Sequence, residues 1–188
     1  MKIRSAEIYD VETVKNITHN TIQYVYPHYY PLGAVNFFLA HHNENSIMID
    51  IVSKKVYVLE GEREIFGTVT IKESEICRLF VLPIYQGKGY GKQLLDFSEQ
   101  LIAKKFGKSK LGASLPSKAI YIKRGYRIMA SHNILTDNGD YLCYDEMEKT
   151  LPALYSNINY DGKILSSKYE NENSEGDEST GISIVIEL

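Results

Sequence analysis

The sequence predicts one mixed α/β domain, and three observations support this fold class. Short apolar runs typical of strands alternate with longer segments whose apolar residues recur at helical spacing. The 188 residues are enough for one domain with a substantial core but few for two. Hydrophobic residues make up 44% of the chain and charged residues 24%, as in ordinary globular proteins. We expect this domain to span residues 1–154.

The N-terminal half is predicted to contain a strand, two helices and three further strands. Residues 2–8 form the first strand, and Asp10 can cap a helix with apolar residues at roughly helical spacing: Val11, Val14, Ile17, Ile22 and Val25. Pro31 is well placed to begin a second helix. A hairpin and one more strand follow at residues 56–59, 65–71 and 76–82.

The C-terminal half of the domain continues with a helix, a strand, a short helix and two strands. The first helix ends at Gly107 and carries a broad apolar stripe formed by Leu94, Leu95, Leu101, Ile102 and Phe106. The remaining elements are predicted at residues 109–114, 116–124, 126–134 and 141–147. The resulting order, β-α-α-β-β-β-α-β-α-β-β, is neither a solenoid nor a regular βαβ repeat.

Residues 155–188 differ in character and are predicted to form an acidic, flexible tail that ends in a strand. The segment 170–180 has five acidic residues and no basic or apolar ones, so it cannot bury enough surface to order itself. Residues 181–188, GISIVIEL, form a strand pattern. Such a strand can pair with an edge of its own sheet or with a second copy in a homodimer, and both alternatives stay open.

Charge and hydropathy exclude several partner classes. A formal net charge of −3 gives no general electrostatic attraction to nucleic acid or to an anionic membrane. No apolar run approaches the roughly 20 residues of a membrane span. Cys77 and Cys143 lack metal or redox spacing, and reduced thiols are typical of the cytoplasm. We therefore expect a cytoplasmic protein without a metal, bound neither to nucleic acid nor to a membrane.

The segment RLFVLPIYQGKGYGKQLLD, residues 78–96, places a glycine-rich turn between a strand and a helix. Glycines let backbone N–H groups approach a ligand closely, and a helix N-terminus adds partial positive charge, so the turn suits a phosphate. It is not a P-loop, because Gly87 and Gly91 are too close together and Lys92 precedes Gln93. It is not a dinucleotide fingerprint either, because lysine stands at the third glycine position.

The hexapeptide QGKGYG at 86–91 matches the pattern Q/R-x-x-G-x-G/A, and its surroundings also match. The preceding LFVLP and the following LL resemble an L-x-V-x-P…L-L frame, and YIKRGY at 121–126 resembles Y-x-K-x-G-F/Y. In these motifs, over residues 2–150, the chain resembles the GNAT superfamily of N-acetyltransferases. The resemblance implies a mixed, mostly antiparallel sheet of six to seven strands with about four helices. It also implies a V-shaped splay beside the cofactor-binding strand.

The resemblance further implies acetyl-CoA as cofactor and assigns residues to it. Backbone groups of Leu79, Phe80 and Val81 would pair with the pantetheine arm. The diphosphate would lie on the turn and the helix start, formed by Gln86, Gly87, Lys88, Gly89, Tyr90, Gly91 and Lys92. Tyr121 matches the family's tyrosine acid, which gives a proton to the CoA sulfur. Ser114 stands where many members have asparagine; serine can still donate one hydrogen bond to the cofactor.

The sequence indicates the general base and the acceptor site less clearly than it indicates the cofactor site. Glu75 lies eleven residues before Gln86, the register of the glutamate base in one branch of the family, although it can equally be a solvated charge at a strand end. Four residues of the aromatic segment are candidates for acceptor binding, or alternatively for core packing: Tyr26, His28, Tyr29 and Tyr30. His28, His41 and His42 are weaker candidates for the base.

Two functional hypotheses follow from the sequence. The first is an acyltransferase that moves the acetyl group of acetyl-CoA to a primary amine by direct attack through a tetrahedral intermediate. The amine, of a small molecule or a protein, is not specified by the motifs. The second is a non-catalytic module on the same fold that senses acetyl-CoA. The presence of Tyr121 favours the enzyme.

Overall fold

The structure is a computed structural model that describes residues 1–62, 64–152 and 184–185. The predicted acidic segment 170–180 lies outside the described residues. The described residues contain eight strands: β1 Lys2–Ser5, β2 Val56–Glu60, β3 Ile65–Lys72, β4 Glu75–Val81, β5 Lys108–Ser114, β6 Arg127–Leu135, β7 Tyr141–Thr150 and β8 Ile184–Val185. The same part of the chain has five α-helices: α1 Val11–Val25, α2 Leu32–His41, α3 Glu44–Val52, α4 Tyr90–Ala103 and α5 Lys118–Lys123. Within the described chain, none of the helices combines the length and apolarity needed to cross a membrane.

The strands form one sheet in the order β1-β2-β3-β4-β5-β7-β6. Neighbours along this order run antiparallel except β4 and β5, which are parallel. This topology confirms the predicted mixed, mostly antiparallel sheet. The terminal strand β8 lies off the main order and pairs in parallel with β5, where Ile184 is opposite Gly112 and Val185 is opposite Ala113.

The contact between β4 and β5 is short, and the strands diverge beyond it. Their ladder in the described residues consists of Glu75 opposite Lys110 and Ile76 opposite Leu111. Between the pairs Ile71–Ile76 and Thr70–Arg78 the register with β3 shifts, which leaves Cys77 as the extra residue of a β-bulge. A bulge bends its strand and increases local twist, so it directs the rest of β4 away from β5.

Helices cover both faces of the sheet. We call the side covered by α4 the α4 face; its core joins α4 to the sheet and includes Leu79, Val81, Leu94, Leu111 and Met147. We call the opposite side the α1 face; its core joins α1 and α2 to the sheet and includes Ile22, Tyr26, Phe38, Phe80 and Leu142. Because strand side chains alternate between faces, β4 sends Leu79 and Val81 to one core and Phe80 to the other.

Several local features differ from the sequence-based prediction. Strand β1, predicted over residues 2–8, ends at Ser5. Helix α3 was not predicted, although Asn43 caps it with a side chain that accepts a hydrogen bond from the Ser46 amide at 2.9 Å. Asp10 precedes α1 as predicted, but its side chain does not cap that helix. The Asp10 carboxylate instead accepts a hydrogen bond from Arg4 at 2.6 Å, which holds the pKa of Asp10 below its ordinary value despite partial burial.

Candidate active site

The glycine-rich turn joins the end of β4 to the start of α4. The Gln86 side chain donates a hydrogen bond through Nε2 to the Val81 carbonyl at 3.0 Å and so fixes the turn to the strand. Gly87 and Gly89 have φ angles of 73° and 81°, in the left-handed region that favours glycine. A Cβ at either position would meet no atom within 4 Å. The turn therefore presents bare backbone to open space.

The N-terminus of α4 faces the same space. Its N-cap residue is Gly89, which has no side chain to satisfy the first N–H groups of this 14-residue helix. Lys92 forms an ion pair with Asp96 at 2.8 Å, and the Lys88 ammonium lies 5.0 Å from the centroid of the Tyr85 ring. Backbone N–H groups, a helix dipole and two nearby cations together suit a diphosphate.

The gap between the diverging strands β4 and β5 adjoins this turn, because the turn directly follows β4. Leu79, Phe80 and Val81 are buried in the two cores, so the strand offers its backbone rather than its side chains to the gap. Such an edge pairs readily with an extended ligand, because its N–H and C=O groups need partners. On the opposite side, Gly112 and Ala113 of β5 pair with β8, and the terminal strand therefore lies in the same region as this gap.

Tyr121 and Ser114 lie at the junction of β5 and α5. Tyr121 is fully buried in the core of the α4 face, and its ring meets that of Tyr126 edge-on with 5.6 Å between centroids. Ser114 is also buried, with its Oγ 3.1 Å from Oγ of Ser117, the residue before α5. Both side chains are thereby held in fixed positions at the α5 end of β5.

Glu75 lines a cavity of about 250 Å³ on the α1 face. We call this cavity the carboxylate pocket; it is lined by Glu75, Lys110, Leu111, Gly112, His132, Tyr144 and Glu146. The neighbouring Ile76 packs into the core of the α4 face, so strand alternation directs Glu75 to the α1 face. Tyr144 packs against the core of the α1 face, and Glu146, two residues along, points the same way.

The side chains of the carboxylate pocket interact closely. His132 and Tyr144 stack with 4.8 Å between ring centroids and an interplanar angle of 17°. Nε2 of His132 lies 3.6 Å from a carboxylate oxygen of Glu146. The pKa of Tyr144 is raised, first by burial and then by the negative charges of Glu146 and Glu75. The negative charges of Glu75 and Glu146 therefore both influence the Tyr144 hydroxyl.

The four residues predicted to bind the acceptor fall into two groups. Tyr26 and Tyr30 are buried, and both rings pack against Phe38. The Tyr30 hydroxyl donates a hydrogen bond to the Cys143 carbonyl at 2.8 Å and accepts one from the Leu115 amide at 2.7 Å, so it links the segment before α2 to β7 and to the loop after β5. His28 and Tyr29 are exposed. The structure does not bring this group into the carboxylate pocket.

The paired histidines also lie outside the pocket lining. His42 is buried, and its Nδ1 accepts a hydrogen bond of 3.3 Å from the Arg78 side chain. Burial, followed by the positive charge of Arg78, lowers the pKa of His42 well below its ordinary value. The ring of His41 meets that of His42 edge-on at 4.9 Å. His42 is thus part of a buried polar cluster on the α1 face, together with Arg78, Asp50 and Thr70.

The arrangement places a predicted acid and a predicted base on opposite faces of the sheet, on either side of the splayed strands. Tyr121 belongs to the α4 face and Glu75 to the α1 face. A larger cleft, about 810 Å³, lies between α1 and the β2–β3 hairpin and contains neither residue. Among its charged side chains, Arg4 forms ion pairs with both Asp10 and Glu60. In the described part of the chain, no three His, Cys, Asp or Glu side chains converge as metal ligands would.

Sequence reasoning missed His132, Tyr144 and Glu146. They come from β6 and β7, remote in sequence from the glycine turn, and carry no motif. The alternation along β7 was the available signal, since it puts Tyr144 and Glu146 on one face. What the sequence did not show is that β7 lies beside β5 and so brings them to Glu75.

Comparison with known proteins identifies the family. A search among curated proteins finds no match. A GCN5-related N-acetyltransferase from Rhodopseudomonas palustris is 21% identical in sequence, with a TM-score of 0.73 over 80% of this chain and 95% of that one. The PaiA N-acetyltransferase from Thermoplasma acidophilum in complex with coenzyme A is also 21% identical, with a TM-score of 0.63 over 79% of this chain and 98% of that one. YncA from Salmonella typhimurium with its cofactor acetyl-CoA is 15% identical, with a TM-score of 0.61 over 82% of this chain and 96% of that one. The model of the acetyltransferase (GNAT) domain matches residues 25–151, more than half of the chain. The chain therefore belongs to the GNAT family of acetyltransferases.

Proposed function

We propose that the protein is an N-acetyltransferase that transfers the acetyl group of acetyl-CoA to a primary amine. One observation carries the proposal: the diverging edge of β4, the glycine turn and the N-terminus of α4 follow one another along the chain. This continuous surface offers backbone partners to an extended arm and then N–H groups to a diphosphate. Neighbours with coenzyme A or acetyl-CoA support the same use of the fold.

The residues around the splay have complementary roles in this proposal. The backbone of Leu79, Phe80 and Val81 binds the pantetheine arm, and the N–H groups of residues 86–91 bind the diphosphate with help from Lys88 and Lys92. Ser114, held beside Ser117, is available to the cofactor as a hydrogen-bonding hydroxyl. The order of these contacts along β4 and α4 directs the thioester end toward the closed end of the splay, where Glu75 lies.

Acetyl-CoA supplies, when bound, a thioester whose carbonyl carbon is open to attack. The acceptor arrives as an ammonium ion, which has no lone pair, so the Glu75 carboxylate takes one proton directly or through water. The freed nitrogen lone pair forms the new C–N bond. When the C–S bond breaks, its electrons go to sulfur, and the Tyr121 hydroxyl gives that sulfur a proton. The second amine proton and the proton held by Glu75 pass to solvent, and Tyr121 regains its proton from there.

Calorimetric titration with acetyl-CoA, with CoA alone for comparison, tests the cofactor site. We expect micromolar or tighter binding of acetyl-CoA. A folded protein that binds neither compound would refute both the transferase and the acetyl-CoA sensor.

Tyr121→Phe separates these two functions. The transferase should lose about 100-fold or more in kcat, because a positioned acid contributes roughly 10²–10⁴-fold, while its affinity for acetyl-CoA stays within about twofold. Tyr126→Phe is the matched control: its ring lies against Tyr121 in the same core, and its hydroxyl donates to Ser109 at 3.0 Å. Acetyl-CoA binding without thiol release by the wild-type protein would instead support the sensor.

A further inference from the structure

We propose that the carboxylate pocket binds the acceptor as a short aliphatic primary ammonium ion, with Glu75 and Glu146 as its counter-ions. The inference rests on the proposed function and deepens it by naming the acceptor class. The pocket lies where β4 and β5 still pair, at Glu75 and Lys110, and therefore at the closed end of the splay. An amine held there is on the α1 face, opposite the core that holds Tyr121.

The charges of the pocket favour a cation. Its charged lining residues are two carboxylates, from Glu75 and Glu146, and one ammonium, from Lys110. The pKa of Tyr144 is raised first by burial and then by these two carboxylates, which oppose a further negative charge at its hydroxyl. The two carboxylates therefore stabilise a bound aliphatic ammonium ion electrostatically. They stabilise an aromatic amine much less, because it is neutral near pH 7.

The aromatic wall suits a short methylene chain. His132 and Tyr144 are both half-buried, and their rings, stacked face to face, form a compact aromatic wall beside the carboxylates. Methylene groups can pack on such a surface while the ammonium stays near the carboxylates, and a cation close to the Tyr144 ring gains further electrostatic stabilisation. Glu146 has a second role here, because its carboxylate lies 3.6 Å from His132 Nε2 and helps to hold that ring in place.

The size of the pocket favours a small acceptor. A volume of about 250 Å³ lies just below the roughly 300–1,000 Å³ of typical small-molecule sites. A four- or five-carbon amine fits such a space with its ammonium beside the carboxylates.

The test compares n-butylamine, 4-aminobutyrate and aniline as acceptors, with thiol release as the readout. We expect n-butylamine to have a kcat/KM at least tenfold above either of the others, because 4-aminobutyrate brings a carboxylate toward Glu75 and Glu146 and aniline is uncharged. A preference for 4-aminobutyrate would mean that Lys110 dominates recognition. A preference for aniline would mean that charge does not matter. Either preference would overturn the proposal.

Glu146→Gln tests the pocket directly. Loss of one charge-assisted contact should raise KM for n-butylamine about tenfold while kcat stays within about twofold. Glu148→Gln is the matched control, since Glu148 lies on the same strand outside the pocket and pairs with Lys108 at 3.0 Å; its KM should not change. Equal KM values for Glu146→Gln and wild type would contradict the proposal.

A binding measurement without acetyl-CoA separates this proposal from the proposed function. The NMR signals of the His132 ring should shift on addition of n-butylamine to the wild-type protein, and the shift should be much weaker in Glu146→Gln. If acetyl-CoA binds but n-butylamine leaves these signals unchanged, the acceptor pocket is wrong and the cofactor site stands. If n-butylamine binds but acetyl-CoA does not, the transferase proposal fails instead.

Discussion

Gly89→Ala should weaken cofactor binding far more than it weakens the fold. Gly89 has a φ of 81°, a left-handed conformation that costs an L-residue about 1–2 kcal/mol. The added Cβ meets no atom within 4 Å, so no steric cost adds to this value in the free protein. We therefore expect the free energy of unfolding to fall by about 1 kcal/mol, which lowers Tm by about 2–4 °C for a domain of this size.

The effect on acetyl-CoA follows from the same open space. In the proposed complex the new methyl group would enter the open space beside the turn where the diphosphate would lie, and hydrogen bonds to charged groups contribute about 1.5–3 kcal/mol each. Loss of one such bond raises Kd by roughly 10- to 100-fold. Calorimetric titration measures this Kd, and urea denaturation without ligand measures the stability.

Gly139→Ala is the matched control for this experiment. Gly139 has a φ of 85°, its Cβ would also meet no atom within 4 Å, and it lies in the loop between β6 and β7. It should show the same loss of stability and an unchanged Kd. If Gly89→Ala and Gly139→Ala change Kd equally, the turn does not bind the diphosphate and the cofactor assignment is refuted.

Two further predictions concern the α1 face and the terminal strand. The pKa of His42 is lowered in the folded protein, whereas His42 of the unfolded chain takes up a proton below about pH 6.5. The stability that comes from neutral His42 is therefore present above that pH and is lost as the pH falls. His42→Asn keeps an acceptor for Arg78 without titrating, and urea denaturation should show a shallower loss of stability from pH 7 to 5 than in wild type; parallel profiles would contradict this. Strand β8 contacts both β4 and β5, so removal of residues 181–188 should open the gap between them and lower the Kd of acetyl-CoA about tenfold, since displacement of the β8 pairing would otherwise cost about 1.4 kcal/mol. An unchanged Kd would show that β8 does not compete with the cofactor.

Most of the fold follows from local patterns. The apolar spacing from Val11 to Val25 predicted α1, and the run before Pro83 predicted β4, because these patterns reflect burial of a single face or of a whole strand. Helix α3 was missed because its nine residues are too few for a strong periodic pattern and its cap is one asparagine. The Cys77 bulge was not predictable either, since it is a mismatch in register between two strands and neither strand shows it alone.

The two sides of the candidate site differ in how far the sequence predicts them. The cofactor side depends on consecutive residues, so the glycine turn and Tyr121 could be recognised as motifs. The acceptor side depends on residues from β4, β5, β6 and β7 that meet only in the folded sheet. Tyr30 illustrates the difficulty from the other direction: its half-polar side chain suits a pocket, yet its hydroxyl is used to join Leu115 and Cys143.

The short ladder between β4 and β5 also divides the sheet mechanically. Within the described residues, strands β1–β4 are joined by antiparallel ladders, as are β5, β7 and β6, but the two groups share only two residue pairs. Helix α4, which packs on both groups, holds the halves together. Proteins open locally where few hydrogen bonds connect cooperative units, so this seam is the natural boundary for partial unfolding. A ligand that fills the gap would add backbone hydrogen bonds between β4 and β5. Its binding would therefore couple the two half-sheets into one cooperative unit.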